Sequence, residues 1–297
     1  LMLREDGHVM DDGTTARLGE THYLMTTTTA AAGQVMRHLE FASQALRPDL
    51  DVRFASVTEQ WAQFAVAGPK SRALLNEVLD EPLPADGFKF MQCGDVSVGG
   101  IAARLFRISF SGEHAYEIAV PARYGTSLFD CLLAQAEAMG GGAYGMEALN
   151  VLRIEKGHIT HAEIHGTTTA FDIGFARMVS AKKDCIGKTM AARSGLVDEN
   201  RGQLVGLKPL QPDQEMYAGS HLFERGAPAR RVNDQGYVTS VAYSPTLGHA
   251  IGLGFLDRGR ARHGEIVRLV EALRGHEMLC EVCDPVFVDV EGTRLRD

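Results

Sequence analysis

The sequence has 297 residues, which is enough for more than one domain of about 100–150 residues. Its 45% hydrophobic and 23% charged residues are typical of a globular protein. The formal net charge of −8 disfavours a nucleic-acid partner, because phosphate binding requires a basic face. No apolar run approaches the roughly 18 residues of a membrane span, so a membrane partner is not expected either.

Five widely scattered cysteines favour reduced thiols over a disulfide framework and predict a cytoplasmic protein. The chain begins inside a strand-like segment, without a signal peptide or an N-terminal cap. We therefore expect the sequence to be part of a longer chain.

The first half of the sequence predicts strands and helices in mixed order. Strand-like segments at Leu1–Val9 and Thr21–Thr29 flank the turn-rich Met10–Gly13, which predicts a hairpin or a looped strand pair. Two or three strands are predicted within Phe88–Val120, and one long strand at Asp51–Ala67. Helices are predicted at Ala30–Arg47, Lys70–Leu79, Ala122–Met139 and Gly145–Lys156. No regular βαβ rhythm appears, so the expected class is α+β.

After about Arg201 the pattern changes to short strands separated by turn signals, which predicts a small all-β barrel. The predicted strands are Leu204–Leu207, His221–Phe223, Gly236–Tyr243, His249–Leu256, Ile266–Val270 and Met278–Val282. The predicted domains are therefore 1–199 and 200–297, with the boundary in the polar stretch Ser194–Gly202.

Two short motifs suggest chemistry but favour a structural interpretation. Cys280 and Cys283 form a C-x-x-C with no second ligand pair for zinc, on a segment that predicts a strand. Gly252 and Gly254 form a lone G-x-G with no following helix, which disfavours a dinucleotide site. No metal site is expected from either motif.

The histidines His158, His161 and His165 have a spacing that would cluster them on one face of a helix. Gly157, Ile159 and Thr160 disfavour a helix there, so we expect polar histidines of a loop, with metal binding as the alternative.

Two acidic clusters remain as candidates. Asp11-Asp12 precedes Gly13, and by itself this pattern favours an ordinary turn. In the segment Phe110–Glu117, Glu113 suits a solvated position, whereas Glu117 lies among apolar residues of a predicted strand. A carboxylate in such a position requires a polar partner or a ligand.

In this order, these clusters resemble the glycine-cleavage T-protein (aminomethyltransferase) family. The motifs that carry the resemblance are Asp11-Asp12, Ala65–Pro69, Phe110–Ile118, Leu152–Gly157, Ser244–Gly248 and Pro285–Val288. The resemblance covers essentially the whole chain. It implies a T-protein-like folate-binding domain of mixed antiparallel sheets and helices, truncated at its N-terminus, followed by the barrel.

Within the family, the segments Val9–Thr15, Thr58–Pro69 and Asn233–Ser240 most resemble the C-terminal part of the α subunits of heterotetrameric sarcosine oxidases. This resemblance implies tetrahydrofolate as the cofactor, with flavins and NAD bound only in other parts of the complex. It also implies partners: the other oxidase subunits and the N-terminal part of the same chain. The implied reaction converts tetrahydrofolate and the imine or formaldehyde from sarcosine oxidation to 5,10-methylenetetrahydrofolate.

The resemblance also implies roles for individual residues. Asp11 would lie near N5 and N10 of the folate as the catalytic carboxylate. Glu117 would accept hydrogen bonds from the pterin, and Phe110, which replaces the usual Tyr, would stack on it. Thr28 lies where T-proteins have a polar Asn contact.

One departure from the family pattern concerns an arginine that contacts folate in T-proteins. Here the matching stretch is Ala148-Leu149-Asn150, so the arginine is absent and the glutamyl tail has no assigned partner. Two alternatives stay open: a non-catalytic folate-binding regulatory module, and a stand-alone aminomethyltransferase or demethylase.

Overall fold

The computed structural model describes residues 1–296. The strands of the first 121 residues are β1 (Met2–Leu3), β2 (Val9–Asp11), β3 (Thr15–Arg17), β4 (Tyr23–Met25), β5 (Trp61–Ala67), β6 (Cys93–Val98), β7 (Ile101–Phe106) and β8 (Ala115–Pro121). The later strands are β9 (Gly202–Pro209), β10 (His221–Glu224), β11 (Gly236–Ser244), β12 (His249–Asp257), β13 (Ile266–Glu271) and β14 (His276–Cys283). The helices are α1 (Ala32–Phe41), α2 (Ser71–Val78), α3 (Gly125–Ala138), α4 (Met146–Glu155), α5 (Lys188–Ala191) and α6 (Thr293–Arg296).

Residue contacts group the chain into two compact units. The first comprises Leu1–Gly13, Thr27–Ala32 and Asn150–Val290. The second comprises Thr14–Thr26, Gly33–Leu149 and the C-terminal residues from Glu291. The expected division at residue 199 was drawn along the sequence, and it stays a prediction.

The first unit contains a closed six-stranded barrel with the strand order β10-β11-β12-β9-β14-β13. Each neighbouring pair is antiparallel. All six strands expected from the sequence are present, so the all-β C-terminal barrel is confirmed. Its interior is filled by apolar side chains that include Val205, Leu207, Leu269 and Val282.

The G-x-G of β12 has a packing role in this barrel. A Cβ atom on Gly254 would lie 2.7 Å from the carbonyl oxygen of Tyr237 on β11. A Cβ atom on Gly252 would lie 2.8 Å from the Met216 side chain, which fills the barrel interior. The two glycines therefore let β11 and Met216 approach β12 closely.

The Leu152–Gly157 motif ties the end of α4 to the barrel within the same unit. The buried Arg153 guanidinium donates to Ser240 Oγ on β11 at 2.7 Å and contacts Glu163 at 3.3 Å. Glu155 accepts a hydrogen bond from Ser244 Oγ at 2.5 Å. Gly157 has a positive φ of 71°, and a side chain there would collide with the carbonyl of Pro285.

The second unit is built on the antiparallel sheet β5-β8-β7-β6. One face of this sheet packs against α2 and α3 through buried residues that include Val66, Leu75, Leu105, Ile118 and Leu128. Because side chains alternate along a strand, Gln63 on β5 and Glu117 on β8 project from the opposite face. Helices and antiparallel strands in this order confirm the α+β class.

Several predicted elements differ from the structure at the N-terminal end. Leu1–Val9 does not pair with Thr21–Thr29; instead β1 pairs with β2, and β3 pairs with β4. The long strand Asp51–Ala67 is formed only from Trp61 onward. Residues 51–56 are exposed throughout, so they have no buried face to hold them in a sheet. The helix expected at Ala30–Arg47 is shorter and ends in a π-helical turn, Ala42–Leu46.

Replacement of Gly254 by alanine tests the packing of the barrel. The new methyl group would force β11 and β12 apart, so the free energy of unfolding should fall by about 1–3 kcal/mol. Gly226→Ala is the matched control, because a Cβ atom there meets nothing within 4 Å, and it should change stability by less than about 0.5 kcal/mol. Urea unfolding measures both. Equal stability of the two variants would contradict this packing role.

Candidate functional site

Asp11 is the last residue of β2, and its carboxylate is completely buried. The expectation that Met10–Gly13 forms a turn is therefore wrong at Asp11, because this residue pairs with Met2 of β1. The Thr28 backbone N–H donates to Asp11 Oδ2 at 2.9 Å, and the Thr28 hydroxyl donates to Oδ1 at 2.7 Å. Both oxygens are thus held by one residue, which fixes the plane of the carboxylate.

His161 completes this cluster. Its Nε2 lies 2.6 Å from Thr28 Oγ1 and 3.9 Å from Asp11 Oδ1. About 40% of the His161 side chain is exposed, whereas that of Asp11 is not exposed at all. Sequence spacing did not indicate this contact, since 150 residues separate Asp11 from His161 and the histidine pattern suggested only a metal site or a polar loop.

The three histidines of the 158–165 segment lie outside any helix, as expected. His165 contacts the Tyr237 hydroxyl through Nε2 at 2.7 Å, so it points to a different partner from that of His161. Within residues 1–296, no group of three or more His, Cys, Asp or Glu side chains is arranged to hold a metal ion.

Glu117 forms a second polar cluster, in the other compact unit. Gln63 on the neighbouring strand donates a hydrogen bond to Glu117 Oε2. Burial raises the pKa of the Glu117 carboxyl, and the hydrogen bond from Gln63 only partly offsets this effect. Burial and the nearby Glu117 charge together raise the pKa of the Tyr144 hydroxyl. Glu117 is therefore a desolvated acceptor with Gln63 and Tyr144 beside it.

Gln63 and Tyr144 also line a cavity of about 700 Å³ within the same unit. Its walls are the edge strand β5, helix α3 and the glycine-rich segment 139–146, and they are mainly apolar. This size falls in the range of small-molecule sites, about 300–1,000 Å³. Leu149, which stands at the position of the expected arginine, lies on the cavity wall.

The loop between β7 and β8 carries the other expected binding residue. Phe110 is 40% exposed in this loop, which Ser109 and Ser111 stabilise through hydrogen bonds to the backbone N–H groups of Gly112 and Glu113. Glu113, expected to be solvated, contacts Arg294 at 3.2 Å. Stacking of Phe110 on a ligand ring stays a prediction.

The C-x-x-C lies on β14, with Cys280 buried and Cys283 partly buried. Burial raises the pKa of the Cys280 thiol to about 12 and that of Cys283 to about 11. Both groups are therefore thiols rather than reactive thiolates near neutral pH. The structural interpretation of this motif agrees with these surroundings.

Comparison with known proteins gives two family models that together span nearly all of the chain. The model described as the GCVT N-terminal domain matches residues 1–183. The model described as the glycine cleavage T-protein C-terminal barrel domain matches residues 203–289. The chain belongs to the glycine cleavage T-protein family.

Individual relatives agree with this assignment. The chain is 53% identical to the sarcosine oxidase subunit alpha of Rhizobium meliloti strain 1021 over 99% of its own length and 30% of the relative. It is 29% identical to an aminomethyltransferase of Streptomyces coelicolor, over 97% of the chain and 75% of the relative. The chain thus spans less than a third of that sarcosine oxidase subunit.

A solved structure shows the same T-protein fold. The crystal structure of the glycine cleavage system aminomethyltransferase T from Bartonella henselae matches with a TM-score of 0.79 at 24% sequence identity. The match covers 97% of this chain and 74% of the other. The expected T-protein-like fold is thereby confirmed. In the described residues, no helix combines the length and apolarity that a membrane crossing requires.

The raised pKa of Glu117 predicts how its replacement changes stability with pH. A carboxyl group whose folded pKa lies above its unfolded value destabilises the fold as the pH rises through the interval between the two values. Glu117→Gln cannot ionise, so it should have a higher free energy of unfolding than the wild type at pH 7. This gain should shrink as the pH falls towards about 4.3, the unfolded pKa of a glutamate.

Chemical denaturation at several pH values measures this difference. Glu113→Gln is the control, since it removes a carboxylate paired with Arg294 and should leave stability at pH 7 unchanged or slightly reduced. Glu117→Gln that is no more stable than the wild type at pH 7 would contradict the desolvation of Glu117.

Proposed function

We propose that this chain is a folate-dependent one-carbon transfer domain that makes 5,10-methylenetetrahydrofolate. The observation that carries the proposal is the buried Asp11 carboxylate, whose two oxygens are both held by Thr28. A desolvated negative charge that is held in a fixed orientation can stabilise a positive charge that develops during the reaction. Membership of the T-protein family supports tetrahydrofolate as the acceptor of the one-carbon unit.

Glu117 suits the recognition of the pterin ring. The pterin offers its 2-amino group and N3–H as neighbouring donors, and a carboxylate offers about four lone-pair sites. Gln63 occupies one of these sites on Oε2, which leaves acceptor capacity on the same group. Because burial makes the charged carboxylate costly, donors from a ligand would stabilise it strongly. The neighbouring apolar cavity suits a ring of this size.

Asp11 suits the chemical step. Tetrahydrofolate and formaldehyde give methylenetetrahydrofolate and water: bonds from carbon to N5 and N10 form, and the carbon–oxygen bond breaks. Both N–H hydrogens are accounted for in the water, so no oxidant or reductant is consumed. The Asp11 carboxylate stabilises the positive charge that develops at N5 as the oxygen leaves.

The one-carbon unit itself comes from oxidation elsewhere. Similarity to sarcosine oxidase α subunits supports sarcosine as its source, through an imine or formaldehyde. In this proposal, flavins and NAD bind in other parts of the oxidase, and the partners of this chain are the remaining subunits and the rest of the α subunit. Free thiols at all five cysteines fit a cytoplasmic location.

The role of Asp11 predicts a large and selective loss of activity in Asp11→Ala. In the intact oxidase supplied with sarcosine and tetrahydrofolate, methylenetetrahydrofolate formation should fall about 100- to 1,000-fold, as for other lost electrostatic groups. Folate affinity and sarcosine oxidation should change much less. Product analysis with a formaldehyde-trapping amine in the bulk solution measures the transfer.

Asp12→Ala is the matched control, because Asp12 lies near the surface and its side chain accepts a hydrogen bond from the backbone N–H of its neighbour Gly13 at 3.0 Å. This variant should retain most of the transfer rate. Wild-type transfer in Asp11→Ala would refute its chemical role. Folate binding without any transfer in the wild type would favour a non-catalytic binding module, an alternative that the loss of the family arginine at Leu149 supports.

A further inference from the structure

Asp11, Thr28 and His161 form a continuous hydrogen-bonded chain from a buried carboxylate to the surface. Thr28 Oγ1 lies in the middle, 2.7 Å from Asp11 Oδ1 and 2.6 Å from His161 Nε2. The Asp11 end has no exposed surface, and the His161 end is 40% exposed. All three residues belong to the same compact unit.

The positions of the hydrogens in this chain follow from what each group can donate. A threonine hydroxyl has a single proton, and an ionised carboxylate can only accept. The Thr28 proton therefore points to Asp11 Oδ1. The short contact with His161 then requires a proton on Nε2 that is donated to Thr28 Oγ1. Each donor along the chain points inward, from the solvent side towards Asp11.

We propose that this chain is a proton relay, in which His161 and Thr28 deliver a proton from solvent to Asp11. The inference rests on the proposed one-carbon transfer and gives His161 a role in it as a positioning residue. Imidazole suits this role because it can bind a proton at one nitrogen and release another from the second nitrogen near neutral pH.

The relay meets a specific requirement of the reaction. When the first carbon–nitrogen bond forms, the N5 proton moves to the formaldehyde oxygen. Breaking the carbon–oxygen bond then requires one more proton so that the oxygen leaves as water. Thr28 passes its own proton to the ionised Asp11 Oδ1 and takes one from His161 Nε2, and His161 recovers a proton from solvent. The protonated Asp11 then gives its proton to the departing oxygen and returns to the carboxylate. The N10 proton, lost to solvent on ring closure, balances the one taken up.

Four substitutions separate a relay from simple support of the Asp11 side chain. His161→Gln keeps an N–H donor for Thr28 but cannot take up and pass on a proton. Thr28→Val removes the hydroxyl, whereas Thr28→Ser retains it. His165→Gln is the matched control, since it alters a histidine of the same loop whose Nε2 contacts Tyr237 instead.

The measurement is the single-turnover rate of methylenetetrahydrofolate formation from sarcosine in the intact oxidase, with formaldehyde trapped in the bulk solution. His161→Gln and Thr28→Val should each lower this rate about 100-fold, the scale of lost proton transfer, while the folate KM stays within about twofold. Thr28→Ser and His165→Gln should stay within about threefold of the wild type. In a fifth variant, His161→Ala, which removes the imidazole ring, added imidazole should restore part of the rate.

The outcomes are distinguishable. A wild-type rate in His161→Gln would overturn the relay while leaving the one-carbon transfer intact, because an N–H donor alone would then be sufficient. Slow transfer in both Thr28→Ser and Thr28→Val would also overturn it. Failure of the wild-type oxidase to form methylenetetrahydrofolate would overturn the proposed function, and the relay with it.

Discussion

The burial of the Asp11 carboxylate is the constraint on which the candidate chemistry depends. A charged group without solvent contact is costly unless hydrogen bonds replace the lost water. Thr28 supplies two of these bonds, one from its backbone and one from its side chain. Because every substitution of Thr28 except proline keeps the backbone N–H, the position of the loop that carries Thr28 contributes to holding the carboxylate as well as the side chain does.

The Glu117 carboxylate also loses part of its contact with water, but hydrogen bonds from the protein compensate this loss less completely than they do for Asp11. Gln63 is the side-chain donor that reaches this carboxylate, and burial raises its pKa. The group is thus incompletely compensated, which is a cost to stability and a reason to expect a ligand that supplies donors. Both carboxylate oxygens of Asp11 accept hydrogen bonds from Thr28, whereas Glu117 can still accept hydrogen bonds from a ligand.

The parts of the fold that sequence predicted well are those with local signals. The six barrel strands alternate with turn residues, and each was found close to its predicted limits. The helix at Gly145–Lys156 was also close, because its apolar spacing and Gly157 define it locally. The predictions were wrong where the local composition did not reveal which segments pair as strands. Met10–Gly13 has the composition of a turn, yet Asp11 lies on a strand because β1 pairs with it.

The same distinction applies to the candidate site. Resemblance named Asp11, Glu117, Phe110 and Thr28, but no local pattern could join Asp11 to His161 across 150 residues. One-carbon transfer by this domain can be tested by following the methyl carbon of ¹³C-labelled sarcosine in the intact oxidase with tetrahydrofolate and a bulk formaldehyde trap. If Asp11 promotes the transfer as proposed, the label should appear mainly in methylenetetrahydrofolate. Label found only in the trapped formaldehyde would contradict it.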